Sequence, residues 1–309
     1  MVDFIKKINK FIKNPNARFS FLNSKGFYNW MSDENFLKKA FKIKMGAGEL
    51  NLDNPKTFNE KLQWLKLYNR KPEYTIMVDK FEAKYYIASK IGEKYTVPTL
   101  GVWNDFDDID FAKLPDKFVL KCTHDSGGLI ICKDKSNLDK IKAKKTICHS
   151  LKSNYYKEWR EWPYRDVKPR IIAEPYLLDD ATKGEEQECL TDYKIFCFNG
   201  NPKIIYISKD KSENPTTDFF DMDFKHLPIR MKDPNSNHLP KVPDKFEEMK
   251  KIAKILSEGI PHLRVDFYCA NGRLYVGELT FYHCGGFASI EPIEWSNIMG
   301  DWIELPKTK

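Results

Sequence analysis

The sequence contains no apolar run that approaches the roughly 18 residues of a membrane-spanning helix. Its first residues also lack the uninterrupted hydrophobic stretch of a secretory signal peptide. Seven cysteines are present, an odd number with no Cys-x-x-Cys spacing, so neither a disulfide framework nor a zinc site is expected. We therefore expect a protein that is kept in a reducing compartment, the cytoplasm.

Dense arginine-rich runs are also missing, although the net charge is +7. Lysines are spread along the whole chain, which argues against a nucleic-acid-binding protein and favours attraction of anionic small molecules or lipid head groups. Residues 1–13 place apolar side chains at helical spacing between lysines, a pattern that predicts a basic amphipathic helix. Such a helix either docks on its own protein or makes peripheral contact with the inner face of an anionic membrane. Both interpretations stay open.

No Gly-x-Gly-x-x-Gly turn opens the chain, so a Rossmann-type first domain is not expected. Apolar spacing is helical from about residue 33 to residue 94 and changes to strand-like alternation after Val97. Strands are predicted at 118–123, 129–132, 170–178, 191–198, 203–208, 263–268 and 274–281, and helices at 138–159 and 246–258. Asn199-Gly200 and Ala270-Asn271-Gly272 are hairpin turn signals. The predicted fold class is therefore α+β.

A lysine and a glycine loop form a candidate phosphate site. Lys121 ends a predicted strand and is followed by the loop Ser126-Gly127-Gly128. Such a loop can offer unobstructed backbone N–H groups to phosphate oxygens, while the ammonium group neutralises their charge. An ordinary turn is the simpler alternative.

Two carboxylates on a predicted hairpin form a candidate metal site. Hairpin pairing brings Asp266 near Glu278, and two close carboxylates in an apolar setting repel unless a cation lies between them. Magnesium bound through one or two carboxylates and nucleotide phosphates is the expected solution. An ordinary ion pair with Arg264 is the alternative.

The apolar segment 171–177 runs from a strand into a linker and is a candidate base site. A carbonyl at Pro175 and an N–H at Leu177 could bond the edge of an adenine, which would tolerate proline at 175 but not at 177. A buried strand without a ligand is the alternative.

Taken in order, these motifs resemble the ATP-grasp superfamily, which includes D-alanine:D-alanine ligase and biotin carboxylase. The motifs are Val78-Asp79-Lys80, Val97-Pro98, Val119-Leu120-Lys121 with its glycine loop, Ala173-Glu174-Pro175-Tyr176-Leu177, Arg264-Val265-Asp266-Phe267 and Gly277-Glu278-Leu279-Thr280. A closer resemblance is to the TupA-like ATP-grasp proteins of bacterial polysaccharide biosynthesis. It is carried by Lys61-Leu62-Gln63-Trp64-Leu65, Asp192-Tyr193-Lys194-Ile195-Phe196-Cys197-Phe198-Asn199-Gly200 and Gly277-Glu278-Leu279-Thr280-Phe281-Tyr282.

The resemblance runs from about residue 30 to the end of the sequence and implies an ATP-grasp fold, in which two α+β lobes enclose the nucleotide. The expected organisation is a helical N-terminal segment at 1–95, a small lobe with the glycine loop at 96–174, and a large lobe with the metal and catalytic residues at 175–309. The expected cofactors are ATP and Mg²⁺.

The resemblance also implies roles for single residues around the nucleotide. Lys80 and Lys121 match two phosphate-binding lysines, and the loop Asp125 to Gly128, with Ser126 and Gly127, matches a mobile lid. The segment Glu174, Pro175, Tyr176 and Leu177 matches the adenine-binding linker, and Asp179 or Asp180 is a possible ribose partner.

Other residues match the chemical centre. Asp266 and Glu278 match magnesium ligands, and Arg264 matches the arginine that stabilises a tetrahedral intermediate. Lys225 is similar to a lysine that reaches the terminal phosphate. Thr280 stands where the superfamily usually has asparagine, and a hydroxyl is a poorer magnesium ligand than an amide oxygen, so the second metal site is in question. Structural and catalytic roles both stay open for His124 and His283.

The activity implied is ATP-dependent ligation of a carboxylate to an amine through an acyl phosphate, with amidation of a uronic acid in capsule or O-antigen biosynthesis as the leading hypothesis. A glycosyltransferase of the same pathway is the alternative, supported by Asp221-Met222-Asp223, a possible metal and nucleotide-sugar motif. A membrane-associated scaffold that keeps the fold without turnover is the third hypothesis.

Overall fold

The computed structural model describes residues 14–46, 48–180, 190–208 and 215–307. The predicted amphipathic helix of residues 1–13, with its proposed membrane contact, lies outside these residues. The helices are α1 (Pro15–Ser24), α2 (Asp33–Met45), α3 (Phe58–Tyr68), α4 (Pro72–Val78), α5 (Glu82–Ile91), α6 (Lys140–Leu151), α7 (Tyr156–Trp159), α8 (Phe246–Leu256) and α9 (Glu294–Asp301). The strands are β1 (Gly101–Trp103), β2 (Phe118–Cys122), β3 (Leu129–Cys132), β4 (Ile171–Pro175), β5 (Asp192–Phe198), β6 (Asn201–Ser208), β7 (Thr217–Phe220), β8 (His226–Leu227), β9 (His262–Ala270) and β10 (Arg273–Thr280).

Local capping signals set the ends of the first helices. Proline at Pro15 is compatible with the first turn of α1, and the Asn14 side chain accepts the Ala17 N–H at 3.0 Å. At the start of α3, Thr57 and Glu60 form a capping box in which each side chain accepts a backbone N–H of the other residue. These contacts satisfy amide groups that have no partner within the helix.

The strands form two antiparallel sheets. The four-stranded sheet has the order β1-β4-β2-β3, and the six-stranded sheet has the order β10-β9-β5-β6-β7-β8. Both predicted hairpin turns are present, with left-handed backbone at Asn199-Gly200 and at Asn271-Gly272, as tight hairpins require.

The hairpin of β9 and β10 contains a β-bulge that changes its register. Val276 pairs with Phe267, but the next pair is Glu278 with Asp266, so Gly277 is the extra residue. A Cβ atom at position 277 would lie closer than 3.0 Å to the Tyr268 ring, which explains why glycine occupies the bulge.

The hydrophobic core has two main parts. The larger part joins the N-terminal helices to the six-stranded sheet; for example, the Phe58 ring of α3 contacts Phe196 and Phe198 of β5. The smaller part lies between the four-stranded sheet and α6 and contains Phe118, Leu120 and Ile147. The helices before residue 95 therefore share a core with the larger sheet, and the division at residues 95 and 174 stays a prediction.

Two element boundaries differ from those predicted. The strand expected at 170–178 ends at Pro175, where the proline can no longer donate to a neighbouring strand. The helix expected at 138–159 is divided into α6 and α7, since α6 stops at Leu151 and residues 152–155 form a turn. Among the described residues, no helix is both long enough and apolar enough to span a bilayer.

Candidate functional site

Two lysines and a buried glutamate lie where the two sheets meet. Lys121 is on β2 and Lys84 is on α5, and their ammonium groups each lie 2.6 Å from a carboxylate oxygen of Glu174 on β4. The Glu174 side chain is only 7% exposed. Burial alone would raise the pKa of Glu174, but the two lysines outweigh it and lower the pKa. Glu174 therefore carries a negative charge that positions both lysines.

Lys80 approaches the same place from the end of α4. Its backbone N–H donates to the Thr123 carbonyl at 3.0 Å, and its ammonium group donates to the Asp125 carbonyl. Lys80, Lys121 and Glu278 line one narrow gap between the sheets. The structure thus brings together cations and a carboxylate that are far apart in the sequence.

The glycine loop between β2 and β3 is partly held in place. The Asp125 carboxylate accepts the Gly128 N–H at 3.2 Å and the hydroxyl of Ser150 on α6, and the Gly128 carbonyl accepts the Cys122 N–H at 2.7 Å. The Gly128 N–H is therefore not free for phosphate, contrary to the prediction of unobstructed N–H groups throughout the loop. Ser126 and Gly127 at the tip are exposed and are the part of the loop that remains accessible.

An apolar pocket of about 190 Å³ lies beside this loop. Its walls include side chains from strands of both sheets and from the segment after β4: Val119, Leu129, Ile131, Pro175, Leu177 and Tyr268. Leu129 and Ile131 are 44% and 45% exposed, which is high for aliphatic side chains and marks a surface suited to a flat apolar ligand.

The predicted adenine linker lines the apolar pocket with all four of its residues, Glu174, Pro175, Tyr176 and Leu177. Glu174 belongs to strand β4, and its carboxylate also holds Lys84 and Lys121. The adenine-binding role of this segment stays a prediction.

The two possible ribose partners both hold the linker to its neighbours. Asp179 accepts the backbone N–H and the hydroxyl of Thr191 at 2.8 and 2.6 Å. Asp180 accepts the Gly272 N–H in the β9–β10 turn at 2.9 Å. These bonds fix the path of the chain after the apolar pocket.

Arg264 is the centre of a buried polar cluster on β9 and β10. Its guanidinium makes a two-pronged ion pair with Asp266 at 2.6 and 2.7 Å, donates to the Thr280 hydroxyl at 3.0 Å, and lies 2.7 Å from Nδ1 of His283. Burial alone would lower the pKa of Arg264, but the Asp266 carboxylate outweighs it and raises the pKa. Burial, together with the Arg264 cation, holds the pKa of His283 well below its ordinary value, so His283 is a neutral acceptor.

Glu278 is the carboxylate that this cluster leaves free. It lies opposite Asp266, so both side chains emerge on one face of the hairpin. Within the described ranges, no hydrogen bond or ion pair reaches its carboxylate. Groups of three or more metal-ligating side chains are absent from the part of the chain that the structure describes. Two adjacent carboxylates, one of them unpaired, still fit magnesium bound jointly with phosphates.

Thr280 and His124 have structural partners. The Thr280 hydroxyl already accepts a hydrogen bond from Arg264, which leaves it poorly placed as a metal ligand. His124 is buried, with Nε2 lying 3.1 Å from the Ser150 carbonyl, so it packs the loop against α6.

Lys225 is not brought to this site. It is exposed in the turn between β7 and β8, at the edge of the six-stranded sheet opposite β10. Four strands lie between β8 and β10, so the two are five strand spacings apart, which corresponds to roughly 24 Å. In the same turn, Asp221 accepts the N–H groups of Asp223 and Lys225 at 3.0 and 2.8 Å, so it caps a turn.

Four cavities follow one another through these residues. The apolar pocket shares Lys121 and Glu174 with the gap that contains Lys80, and that gap shares Glu278 with a cavity of about 400 Å³ beside Arg264. We call the last of these the arginine cavity. It shares Ser126, Tyr155 and Trp159 with an open groove of about 1090 Å³ between α1, α6 and α7, the polar groove.

Sequence reasoning missed Lys84, Glu161 and the polar groove. Lys84 follows Lys80 by four residues, a spacing that places side chains on one helical face, and this signal could have identified it. Glu161 lines the arginine cavity but lies in an aromatic-rich segment without a recognisable motif. The groove depends on packing between segments that are more than 100 residues apart, so no local pattern marks it.

The model of the family TupA-like ATPgrasp matches residues 60–304. A search of curated proteins found no match. Among solved structures, D-alanine–D-alanine ligase from Bacillus anthracis complexed with ATP is 16% identical with a TM-score of 0.39, and the aligned region covers 67% of this chain and 54% of that one. D-alanine–D-alanine ligase from Helicobacter pylori is 14% identical, with a TM-score of 0.42 and coverage of 82% and 70%. The ATP-grasp ligase PsnB, complexed with minimal precursor, Mg and ADP, is 12% identical, with a TM-score of 0.37 and coverage of 72% and 57%. The chain thus spans about half the length of the Bacillus anthracis enzyme.

Proposed function

Because the chain belongs to the TupA-like ATP-grasp family, we propose that it is an ATP-dependent ligase that joins a carboxylate to an amine through an acyl phosphate. The observation that carries the proposal is the series of connected cavities. An apolar pocket, a gap lined by Lys80 and Lys121, and a cavity beside Arg264 follow one another and share lining residues. This order matches a base, a polyphosphate and a reacting acyl group.

In this proposal the apolar pocket receives adenine. The N–H of Leu177, for which the described residues offer no backbone acceptor, reads its edge. Lys80 and Lys121 neutralise phosphate charge, which permits an anionic carboxylate to approach an anionic triphosphate. The tip of the glycine loop at Ser126 and Gly127 covers the phosphates and excludes water that would hydrolyse an acyl phosphate.

Glu278 and Asp266 would hold magnesium, which supplies additional positive charge to the phosphates when bound. A substrate carboxylate oxygen attacks the terminal phosphorus, and ADP leaves. The amine nitrogen then attacks the carbonyl carbon, and inorganic phosphate leaves with the electron pair of the broken C–O bond. Arg264 lies beside this centre and stabilises the oxyanion of the tetrahedral intermediate. Because Asp266 and Thr280 fix its guanidinium, little reorganisation accompanies that step.

We further propose that the carboxylate belongs to a uronic acid of a surface polysaccharide. The polar groove supports a large, hydroxylated and anionic substrate. Four lysines line it against two acids, and serine and asparagine side chains lie between them: Lys25, Lys142, Lys145, Lys157, Asp125, Glu158, Ser153 and Asn154. The alternative glycosyltransferase hypothesis loses its main support, because the Asp221 carboxylate caps its own turn.

The first test is the change in melting temperature on addition of magnesium with ATP, ADP or UDP-sugars, because a ligand that binds only the native state stabilises it. We expect magnesium-dependent stabilisation by adenine nucleotides. Release of ADP on addition of a uronic acid, with trapping of the acyl phosphate by hydroxylamine, would then identify the carboxylate. Stabilisation by a UDP-sugar and none by ATP would refute the ligase proposal.

Glu278→Gln is the sharpest variant for the metal assignment. Glu278 has no partner among the described residues, so the isosteric change should leave the melting temperature of the free protein unchanged while removing the magnesium-dependent part of the ATP effect. Glu304→Gln is the matched control: Glu304 is exposed and lines none of the four connected cavities, so this variant should behave as wild type. Full magnesium-dependent stabilisation of Glu278→Gln by ATP would show that the metal assignment is wrong.

A further inference from the structure

The arginine cavity contains a second carboxylate besides Glu278. Glu161 lies directly before the short helical turn Trp162–Tyr164, and its side chain lines the cavity together with Arg264 and Glu278. Glu161 is only 3% exposed. Among the residues that the structure places, none donates a hydrogen bond to its carboxylate or forms an ion pair with it. A buried carboxylate without a donor is costly for the fold, which points to a ligand that supplies one.

Lys66 is the cation that acts most strongly on Glu161, but its donors are already used. Its ammonium group is fully buried and donates to the Gln63 side chain and to the carbonyls of Trp159 and Gly285. It has three N–H bonds and three neutral acceptors, so none remains for Glu161. Lys66 therefore contributes electrostatic attraction without occupying the carboxylate.

The electrostatics of Glu161 agree with this geometry. Burial raises the pKa of Glu161 above its ordinary value, with Lys66 opposing the shift and Glu158 and Glu278 adding to it, and burial also lowers the pKa of Lys66. A carboxylic acid whose pKa is raised toward neutrality exchanges a proton more readily near neutral pH.

The shape and chemistry of the cavity favour a cation beside Glu161. The cavity volume of about 400 Å³ suits a small molecule, and its aromatic walls present rings that attract cations: Tyr155, Trp159, Tyr164, Tyr282 and Phe287. Lys44 also lines the cavity, and its ammonium group lies 4.7 Å from the Trp159 ring centre. The built-in ammonium group of Lys66 already lies 4.8 Å from the Phe287 ring centre. A substrate carboxylate would be repelled by Glu161 and Glu278 and drawn toward Arg264 instead.

We propose that the arginine cavity is the amine subsite and that Glu161 is the carboxylate that binds the substrate ammonium group and accepts its proton. This inference rests on the proposed ligase activity. One proton passes from the ammonium group to a Glu161 oxygen, which leaves the nitrogen lone pair free. The nitrogen forms the new bond to the acyl carbon, the C–O bond to phosphate breaks, and the second proton lost by nitrogen goes to the departing phosphate. Glu161 then returns its proton to solvent.

The test separates formation of the acyl phosphate from its reaction with the amine. Hydroxylamine is uncharged at neutral pH and traps the acyl phosphate without needing an ammonium site, whereas amide formation from a panel of primary amines needs the subsite. For Glu161→Gln we expect a rise of about 10- to 100-fold in KM for the amine, the usual effect of losing a charged hydrogen-bond partner, with hydroxylamine trapping within about twofold of wild type. Glu161→Asp keeps the charge, and its KM for the amine should lie between those of wild type and Glu161→Gln.

Glu73→Gln is the control, because Glu73 is an exposed glutamate on α4 away from the cavity. An unchanged KM for the amine in Glu161→Gln overturns the inference, and so does an equal loss of trapping and amide formation, which would indicate a structural role. If wild type forms an amide with no amine of the panel, amines at saturating concentration must still slow hydroxylamine trapping in wild type and must not slow it in Glu161→Gln. If amines do not slow trapping in wild type, the inference is also overturned. Absence of trapping in wild type would instead count against the ligase activity.

Discussion

Replacing Glu174 by glutamine tests whether one buried carboxylate organises the nucleotide end of the site. The change keeps the shape of the side chain and removes its charge. Glutamine would leave the ammonium groups of Lys84 and Lys121 without their carboxylate, although each now lies 2.6 Å from it. We expect a clear loss of stability, because the two cations would stay partly buried with no compensating anion.

The magnitude follows from the environment of each lysine. Removing one partner of a buried ion pair usually costs about 3–5 kcal/mol. Lys84 keeps two other acceptors, the Val97 carbonyl at 2.7 Å and the Thr99 hydroxyl at 2.9 Å, and the Lys121 side chain is 25% exposed. We therefore expect a loss near the lower limit, about 3 kcal/mol in the free energy of unfolding. For a protein of 309 residues with the usual unfolding entropy per residue, this loss corresponds to a fall of about 5 °C in melting temperature.

Urea unfolding and thermal melting of Glu174→Gln would measure this loss, with Glu82→Gln as the matched control. Glu82 also forms an ion pair, at 2.9 Å with Arg170, but its side chain is 42% exposed, so its removal should cost less than about 1 kcal/mol. Equal stabilities of the two variants would refute the argument that burial makes the Glu174 pairs important.

The pH dependence gives a second check on Glu174. Because the folded pKa of this carboxyl is lowered, its contribution to stability is complete above the ordinary value of 4.5 and is lost as the pH falls through the folded value. The difference between wild type and Glu174→Gln should therefore be constant from neutral pH to about pH 5 and shrink below it. A difference that grows on acidification would contradict the assignment.

Two further substitutions test the glycine loop and the base pocket. In Gly128→Ala, the added Cβ would lie closer than 3.0 Å to Ser150 and Cys122, so we expect a loss of about 1–3 kcal/mol in urea unfolding and weaker stabilisation by ATP. In Gly127→Ala, the added Cβ would make an ordinary van der Waals contact of 3.6 Å with an Asp125 carboxylate oxygen, so this change should be tolerated. Leu177→Pro removes the N–H assigned to adenine and should weaken ATP binding about 5- to 30-fold in calorimetry, whereas Leu177→Ala keeps the N–H and should lose less; equal losses would exclude a backbone contact.

Local signals in the sequence predicted much of the architecture. The hairpin at Asn199-Gly200 and the strand–loop–strand at 118–132 follow from turn residues and alternation, which act over a few positions. The end of β4 at Pro175 could also have been read from the proline itself, whose missing N–H limits strand pairing. The packing of the N-terminal helices on the larger sheet could not be predicted from the sequence. It depends on contacts between residues far apart in the chain, such as that of Phe58 with Phe196.

The candidate site shows the same limit. The motifs containing Lys121, Asp266 and Glu278 were found because each lies on a strand with a recognisable pattern. The partners of the site residues were not predicted. The ion pair of Lys121 with Glu174 and the hydrogen bond from the Gly128 N–H to Asp125 depend on side-chain directions in three dimensions. Glu161 was missed for a related reason: its isolation from donors is a property of the whole cavity.

Strand β10 consists of two halves whose side-chain alternation is out of phase. Before the bulge, the even-numbered Val276 lies on the same side as Phe267; after it, the even-numbered Glu278 lies on the side of Asp266. A regular hairpin with the same two-residue turn would pair Glu278 with Val265 and direct its carboxylate to the opposite face of the sheet. Transplanting this site into another hairpin therefore requires residues 273–280 as one unit, because a regular strand could keep its backbone hydrogen bonds and still separate the two carboxylates.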